Sequence, residues 1–149
     1  MAIERNKPYS NFNFLVDFGG DTDGPRAGFK KVMLPEMSLD VVEYRAGNDK
    51  ANEARKLLGL AHYSNAVLKR GVVGALDLYA WWNAARNGDP NVFRTVTVQL
   101  LNEDRSNVVL TWRLLQAAPV RLKYSPLRGR GKRVLVEELE LCCERVEIE

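Results

Sequence analysis

The sequence predicts a mainly β chain (α+β): an antiparallel barrel or sandwich of about seven strands, with one flanking helix and a long extended arm. Three observations carry that expectation. Runs with an apolar residue at every second position recur along the chain, one stretch alone repeats at helical spacing, and a central stretch shows neither period. At 149 residues the chain suits a single domain, 1–149, long enough to bury about two-thirds of its unfolded surface.

The first run, Phe12 to Phe18, alternates Phe12, Phe14, Val16 and Phe18 with Asn13, Leu15 and Asp17, the pattern of a half-buried strand. Gly19 to Pro25 (GGDTDGP) reads as a turn cluster. Gly28 to Leu34 is a second extended run that meets Pro35, where a missing N–H demands a bulge or an edge. Ser38 to Tyr44 resumes as strand and enters the arm, residues 45–64, which is polar and glycine-punctuated yet carries Leu57, Leu58, Leu60 and Tyr63. Connections of that length without structure of their own are uncommon in compact domains. Leucines there suit an arm that packs onto something, including another copy of the chain, and equally a surface loop folded back on its own domain. The candidate contact residues are Arg45, Gly47, Asn48, Lys50, Arg55, Leu57, Leu58 and Leu60.

Another strand, Asn65 to Arg70, leads to the one helix, residues 75–86. Leu78, Trp81, Trp82 and Ala85 fall at i, i+3, i+4 and i+7 and form one core stripe. Asp77 near its start and Arg86 near its end complement the helix dipole, and Asn87-Gly88-Asp89-Pro90 stops it. Thr95 to Leu101 alternates Val96, Val98 and Leu100 with Thr95, Thr97 and Gln99. Residues 102–107 (NEDRSN) read as a hairpin loop, with Val108 to Leu115 as the return strand. Val120 to Tyr124 follows Pro119 as a separate strand, and Ser125 to Arg133 is a loop. A long final strand, Val134 to Ile148, needs one bulge near Cys143 to Arg145 to bring Val146 and Ile148 onto the face of Leu139 and Leu141.

The net charge of +3 comes from 22 basic and 19 acidic residues, too even to imply nucleic acid or membrane by itself. No apolar run is long enough for a membrane span, and the N-terminus has no signal-like apolar core. Cys142 and Cys143 are neighbours, which disfavours a bridge between them and suits reduced thiols. A single histidine, His62, leaves a structural zinc or a histidine triad without partners. Gly129-Arg130-Gly131-Lys132 lacks the spacing and the Ser or Thr of a phosphate-binding P-loop. Glu137 and Glu138 are adjacent on a strand and face opposite ways, so they make no carboxylate pair. The expectation is no enzyme, no cofactor and no metal.

Charge is segregated near the C-terminus. Arg121, Lys123, Arg128, Arg130, Lys132 and Arg133 precede an acid-rich strand with Glu137, Glu138 and Glu140. Three readings fit: phosphate contacts of a nucleic-acid-binding barrel using residues 121–133, a complementary contact between copies (Arg128, Arg130 and Arg133 against Glu138 and Glu140), or a solvated surface.

Several short motifs, in order, carry a resemblance. They are Phe14-x-Val16, Gly28-Phe29, Val42-Glu43-Tyr44-Arg45-x-Gly47, Leu58-Gly59-Leu60, Leu68-Lys69-Arg70-Gly71, Leu78 with Trp81-Trp82, and Val136-Glu137-Glu138-Leu139-Glu140-Leu141. Together they resemble the phage tail tube family, the inner-tube proteins of contractile phage tails and phage-tail-like contractile injection systems. Two departures stand out: Leu58 occupies a position often proline, and the Arg128 to Arg133 loop is unusually basic. The resemblance implies a barrel with a flanking helix, built into stacked hexameric rings. It implies as partners a sheath, a baseplate or spike, a terminator cap, and cargo protein or DNA in the lumen, with Thr95, Thr97 and Gln99 as a lumen face. It also implies assembly in the bacterial cytoplasm into a virion tail or an injection particle. A baseplate- or cap-proximal paralogue that forms a single ring is the alternative within the family.

Overall fold

The computed structural model describes residues 1–19 and 28–149, so the turn expected after Gly19 lies outside the described residues. The described strands are β1 (Phe14–Asp17), β2 (Phe29–Met33), β3 (Met37–Tyr44), β4 (Arg55–Tyr63), β5 (Ala66–Gly71), β6 (Arg94–Leu101), β7 (Val108–Tyr124), β8 (Val136–Cys142) and β9 (Arg145–Ile148). One helix, α1 (Asp77–Arg86), lies between β5 and β6. A 7-stranded sheet runs β1-β6-β7-β8-β5-β2, with β9 paired to β7, and every pairing is antiparallel. β3 and β4 form a 2-stranded sheet of their own. The mainly β class with one helix stands, with more strands than expected.

β7 organises the sheet. The sequence pattern implied two strands separated near Pro119, but the chain runs through as one strand of 17 residues. Its first half pairs β6 and β9, and its second half pairs β8. Gln116 takes φ 52 between the halves, a left-handed conformation that non-glycine residues rarely adopt and that re-aims the strand. Pro119 lies beside a register shift against β8, where its missing N–H breaks no regular ladder.

The last strand is corrected in the opposite sense. Instead of one bulged run, the chain breaks after Cys142, and β9 crosses to the first half of β7, opposite Trp112 to Leu115. Val146 is buried there, whereas Ile148 stays exposed, so only one of the two reaches the core. In β6 a register shift between Leu100 and Leu101 makes Leu101 the buried residue in place of the expected Leu100.

The core fills the space under both halves of the sheet: Val16, Phe18, Phe29, Leu68, Val96, Val98, Leu114, Leu139 and Leu141. α1 adds Leu78 and Trp81, which are 0% and 2% exposed. The Trp81 indole N–H donates to the Val92 carbonyl at 2.7 Å, and its ring stacks on Phe18 at 6.2 Å. Phe18 in turn meets Phe29 edge-on at 5.8 Å, tying the segment after β1 to β2. Trp82 is only half-buried, with the Arg86 guanidinium 4.7 Å from its ring, because the helix stripe is narrower than the sequence spacing implied. Trp81→Phe keeps an aromatic plug and orphans the Val92 carbonyl, so it is expected to lower stability by about 1–3 kcal/mol in urea unfolding. A midpoint equal to that of wild type would show that this hydrogen bond contributes nothing.

Candidate functional site

Three surfaces and one buried cluster hold what the core does not use. The first is the β3–β4 hairpin. Expected as an arm without structure, residues 45–64 instead supply a turn and the whole of β4, nine residues paired to β3 from Met37↔Tyr63 to Tyr44↔Arg55. Neither strand pairs with any other described strand. Its base is clamped by Glu36 N–H to Ser64 Oγ at 2.7 Å and by Ser64 N–H to the Glu36 carbonyl at 3.0 Å. At its tip the Arg45 guanidinium donates to the Ala51 and Asp49 carbonyls, at 3.0 and 3.1 Å, and folds the turn on itself.

A register shift between Leu39 and Val41 places Gly59 opposite Asp40, where a Cβ on Gly59 would meet Asp40 Cβ at 3.1 Å. Strand alternation then gathers Met37, Leu39, Val41, Leu58, Ala61 and Tyr63 on one side. The other side carries the His62–Asp40 pair, 2.8 Å apart, and beyond it Val42 and Leu57. Leu58 and Leu60 are 72% and 73% exposed. Of the apolar side chains on both sides only Tyr63 packs against the core, which leaves the others as an exposed apolar face on a strand pair.

The buried cluster lies where β5, β8 and α1 meet. Arg70, 0% exposed, bonds Glu137 through Nε and Asp77 through both terminal nitrogens, with its guanidinium 5.6 Å from the Phe29 ring. Burial works against charge on Asp77, but the Arg70 hydrogen bonds and positive charge outweigh it and hold the carboxyl below its ordinary value of 3.8. Likewise burial opposes the Arg70 charge, and its two carboxylate partners more than restore it. Among the described residues no buried side-chain polar atom lacks a partner. The sequence reading placed Glu137 among the surface acids. The signal that could have found it is its parity with Leu139 and Leu141 on β8.

The second surface is the outer face of the β2-β5-β8-β7 half-sheet. Its register sets Lys69 and Lys123 on either side of Glu138, and Arg121 opposite Glu140. Here Glu138 and Glu140 face basic residues of their own chain, as cross-strand neighbours do in a stabilising pair. Arg128, Arg130 and Arg133 stand in the adjoining 125–135 loop, over the same groove as Glu138. The third surface is the outer face of β6, where Thr95 is exposed and Thr97 and Gln99 are half-buried. Asp17 and Arg113 flank Thr97 in register, and Glu147 lies beyond Arg113. The predicted residues therefore fall into separate places: Lys50, Asn48 and Gly47 at the hairpin tip, Arg55, Leu57, Leu58 and Leu60 along β4, and the basic loop beside the β2-β5-β8-β7 half-sheet.

Residues 10–147 match the family described as T4-like virus tail tube protein gp19. The chain belongs to that family. Solved structures agree over nearly its whole length. A chain in the 6-fold symmetrised anti-feeding prophage (AFP) baseplate is 26% identical, with 97% of both chains covered and a TM-score of 0.80. A chain in the sheath–tube complex of PVC, an extracellular contractile injection system, is also 26% identical, covers 97% of this chain and 93% of that one, and has a TM-score of 0.82. A chain in the AFP tube-terminating cap shares the fold at a TM-score of 0.84 and 23% identity, covering 100% and 95%. No curated protein matches by sequence. The protein is thus a tail tube protein, and its antiparallel sheet with α1 is the architecture it shares with chains of the AFP baseplate and the PVC sheath–tube complex.

Proposed function

We propose that this tail tube protein is the repeating subunit of an inner tube, in which six copies close a ring and rings stack head to tail around a lumen for protein or DNA cargo. A sheath surrounds the tube, baseplate and terminator proteins end it, and the particle assembles in the bacterial cytoplasm as a virion tail or injection device. The observation that carries this reading is the β3–β4 hairpin, whose leucines and valines are half or more exposed and lie outside the core cluster. A heterologous contact that repeats produces rings when its rotation closes and filaments when it does not. Among the described residues the outer strands β1 and β2 each pair on one side only, which adds edges that identical neighbours would cover. Likeness to chains of the PVC sheath–tube complex and the AFP baseplate supports the same reading.

The alternative of a paralogue that forms one terminal ring has its own support in the AFP cap and the PVC sheath/tube terminator, whose chains share the fold at TM-scores of 0.84 and 0.83. Negative-stain microscopy of the concentrated protein separates the readings. Long tubes are expected for the main subunit, isolated rings identify the terminal paralogue, and monomers alone overturn both.

A further inference from the structure

The tube reading leaves one built feature unused: a groove of about 1130 Å³ between the outer sheet face and the loop joining β7 to β8. Its sheet wall presents Lys30, Lys69 and Lys123, and its loop wall presents Arg128, Arg130, Lys132 and Arg133. Against these seven cations stands one acid, Glu138, between Lys69 and Lys123. We propose that this groove binds a phosphate-rich polyanion, threaded between the two walls.

The loop is held in shape. Ser125 N–H donates to the Val136 carbonyl at 2.9 Å, and Val136 N–H donates to Ser125 Oγ at 3.0 Å, closing its base. Gly131 N–H donates to the Arg128 carbonyl at 3.0 Å in a turn so tight that a Cβ on Gly131 would approach that oxygen to 3.2 Å. The turn keeps Arg128, Arg130, Lys132 and Arg133 together beside the groove.

Among the described residues none of the seven makes an ion pair, whereas Arg5, Arg70, Arg113 and Arg145 each do. Seven like charges held together against the single carboxylate of Glu138 repel one another, and an anion entering the groove relieves that repulsion. Guanidinium forks fit phosphate oxygens two at a time, and ammonium groups serve as point charges for the same ligand. An acidic peptide is the poorer fit. The groove lies over β5 and β8, which are each paired on both sides, so a peptide lying across them finds no edge to pair with; the second half of β7 beside them is paired to β8 alone. A polymer whose charge lies in its own backbone needs only the side chains.

Nucleic acid and inorganic polyphosphate share this chemistry. The test is fluorescence anisotropy with a labelled single-stranded oligothymidylate, repeated over a range of salt, with polyphosphate and polyglutamate as competitors. Wild type is expected to bind with an affinity that falls steeply as salt rises. Arg128→Gln/Arg130→Gln/Arg133→Gln should weaken binding about tenfold or more and flatten the logarithmic salt slope by about 2. Glu138→Gln should tighten it. Displacement by polyphosphate assigns the site to the bare phosphate chain, and binding of the oligonucleotide without such displacement assigns it to nucleic acid; both support the proposal. It is overturned if the triple variant binds as wild type does, if polyglutamate competes better than either phosphate polymer, or if Lys50→Gln/Arg55→Gln/Lys56→Gln weakens binding equally. Because the groove and hairpin are separate, tubes that form without binding sink the groove alone, and binding without tubes leaves the groove standing.

Discussion

Leu58→Asp combined with Leu60→Asp is expected to give a folded monomer that forms neither rings nor tubes. Both side chains point into solvent from β4, so replacing them removes no core contact and should leave the melting temperature of the monomer within about a degree or two of wild type, as for ordinary surface changes. In the proposed assembly the same leucines would become interior, each contributing about 1.5–3 kcal/mol by burial. Losing two, and burying two carboxylates in their place, removes at least about 3–6 kcal/mol per contact, roughly a hundredfold to ten-thousandfold in association. Sedimentation beside thermal unfolding measures both sides of the claim. If the variant unfolds, the hairpin is internal packing; if it still forms tubes, the subunits join elsewhere.

Arg70→Ala acts on the fold itself. It strands Glu137, 3% exposed, and leaves Asp77 without the cation that holds its carboxyl ionised. Breaking a buried ion pair from one side costs about 3–5 kcal/mol, which in a chain of this size lowers the melting temperature by about 10 °C. The loss should come from the stranded carboxylate more than from the lost attraction. Arg70→Met with Glu137→Leu is therefore expected to recover a large part of it. If the double variant is worse than the single one, the cluster contributes net stability as a unit.

The cluster also sets an acid limit. Asp77 has a folded value below 3.8, so the unfolded chain takes up its proton first as pH falls. Its contribution is complete above about pH 4 and disappears as pH drops through the lower folded value. Asp77→Asn should start from lower stability at neutral pH and decline less steeply in acid, which a series of urea unfolding curves resolves.

Much of the fold is legible in the chain because its signals are local. Val96 and Val98 against Thr95 and Thr97 define a strand face within a few residues, and Leu78 with Trp81 defines a helix stripe within one turn. The hairpin was missed as structure because β4, with neither face buried in its own chain, carries no two-residue hydrophobic period. The candidate site was legible only in pieces. The leucines of β4 and the basic loop both stand out in the sequence, but Lys30 and Lys69 join that loop only through pairings that span distant parts of the chain.

By itself, the sequence determined which segments extend, where the one helix lies, and the family to which the ordered motifs belong, because alternation, helical spacing and turn chemistry act between near neighbours. Tertiary structure decided that β7 bends through Gln116 to serve both halves of the sheet, and that Arg70 draws Glu137 and Asp77 into the interior. It also decided which charges share a groove. Each of these depends on strand register and on desolvation by residues far away in the chain, and neither quantity is written in any local stretch of residues.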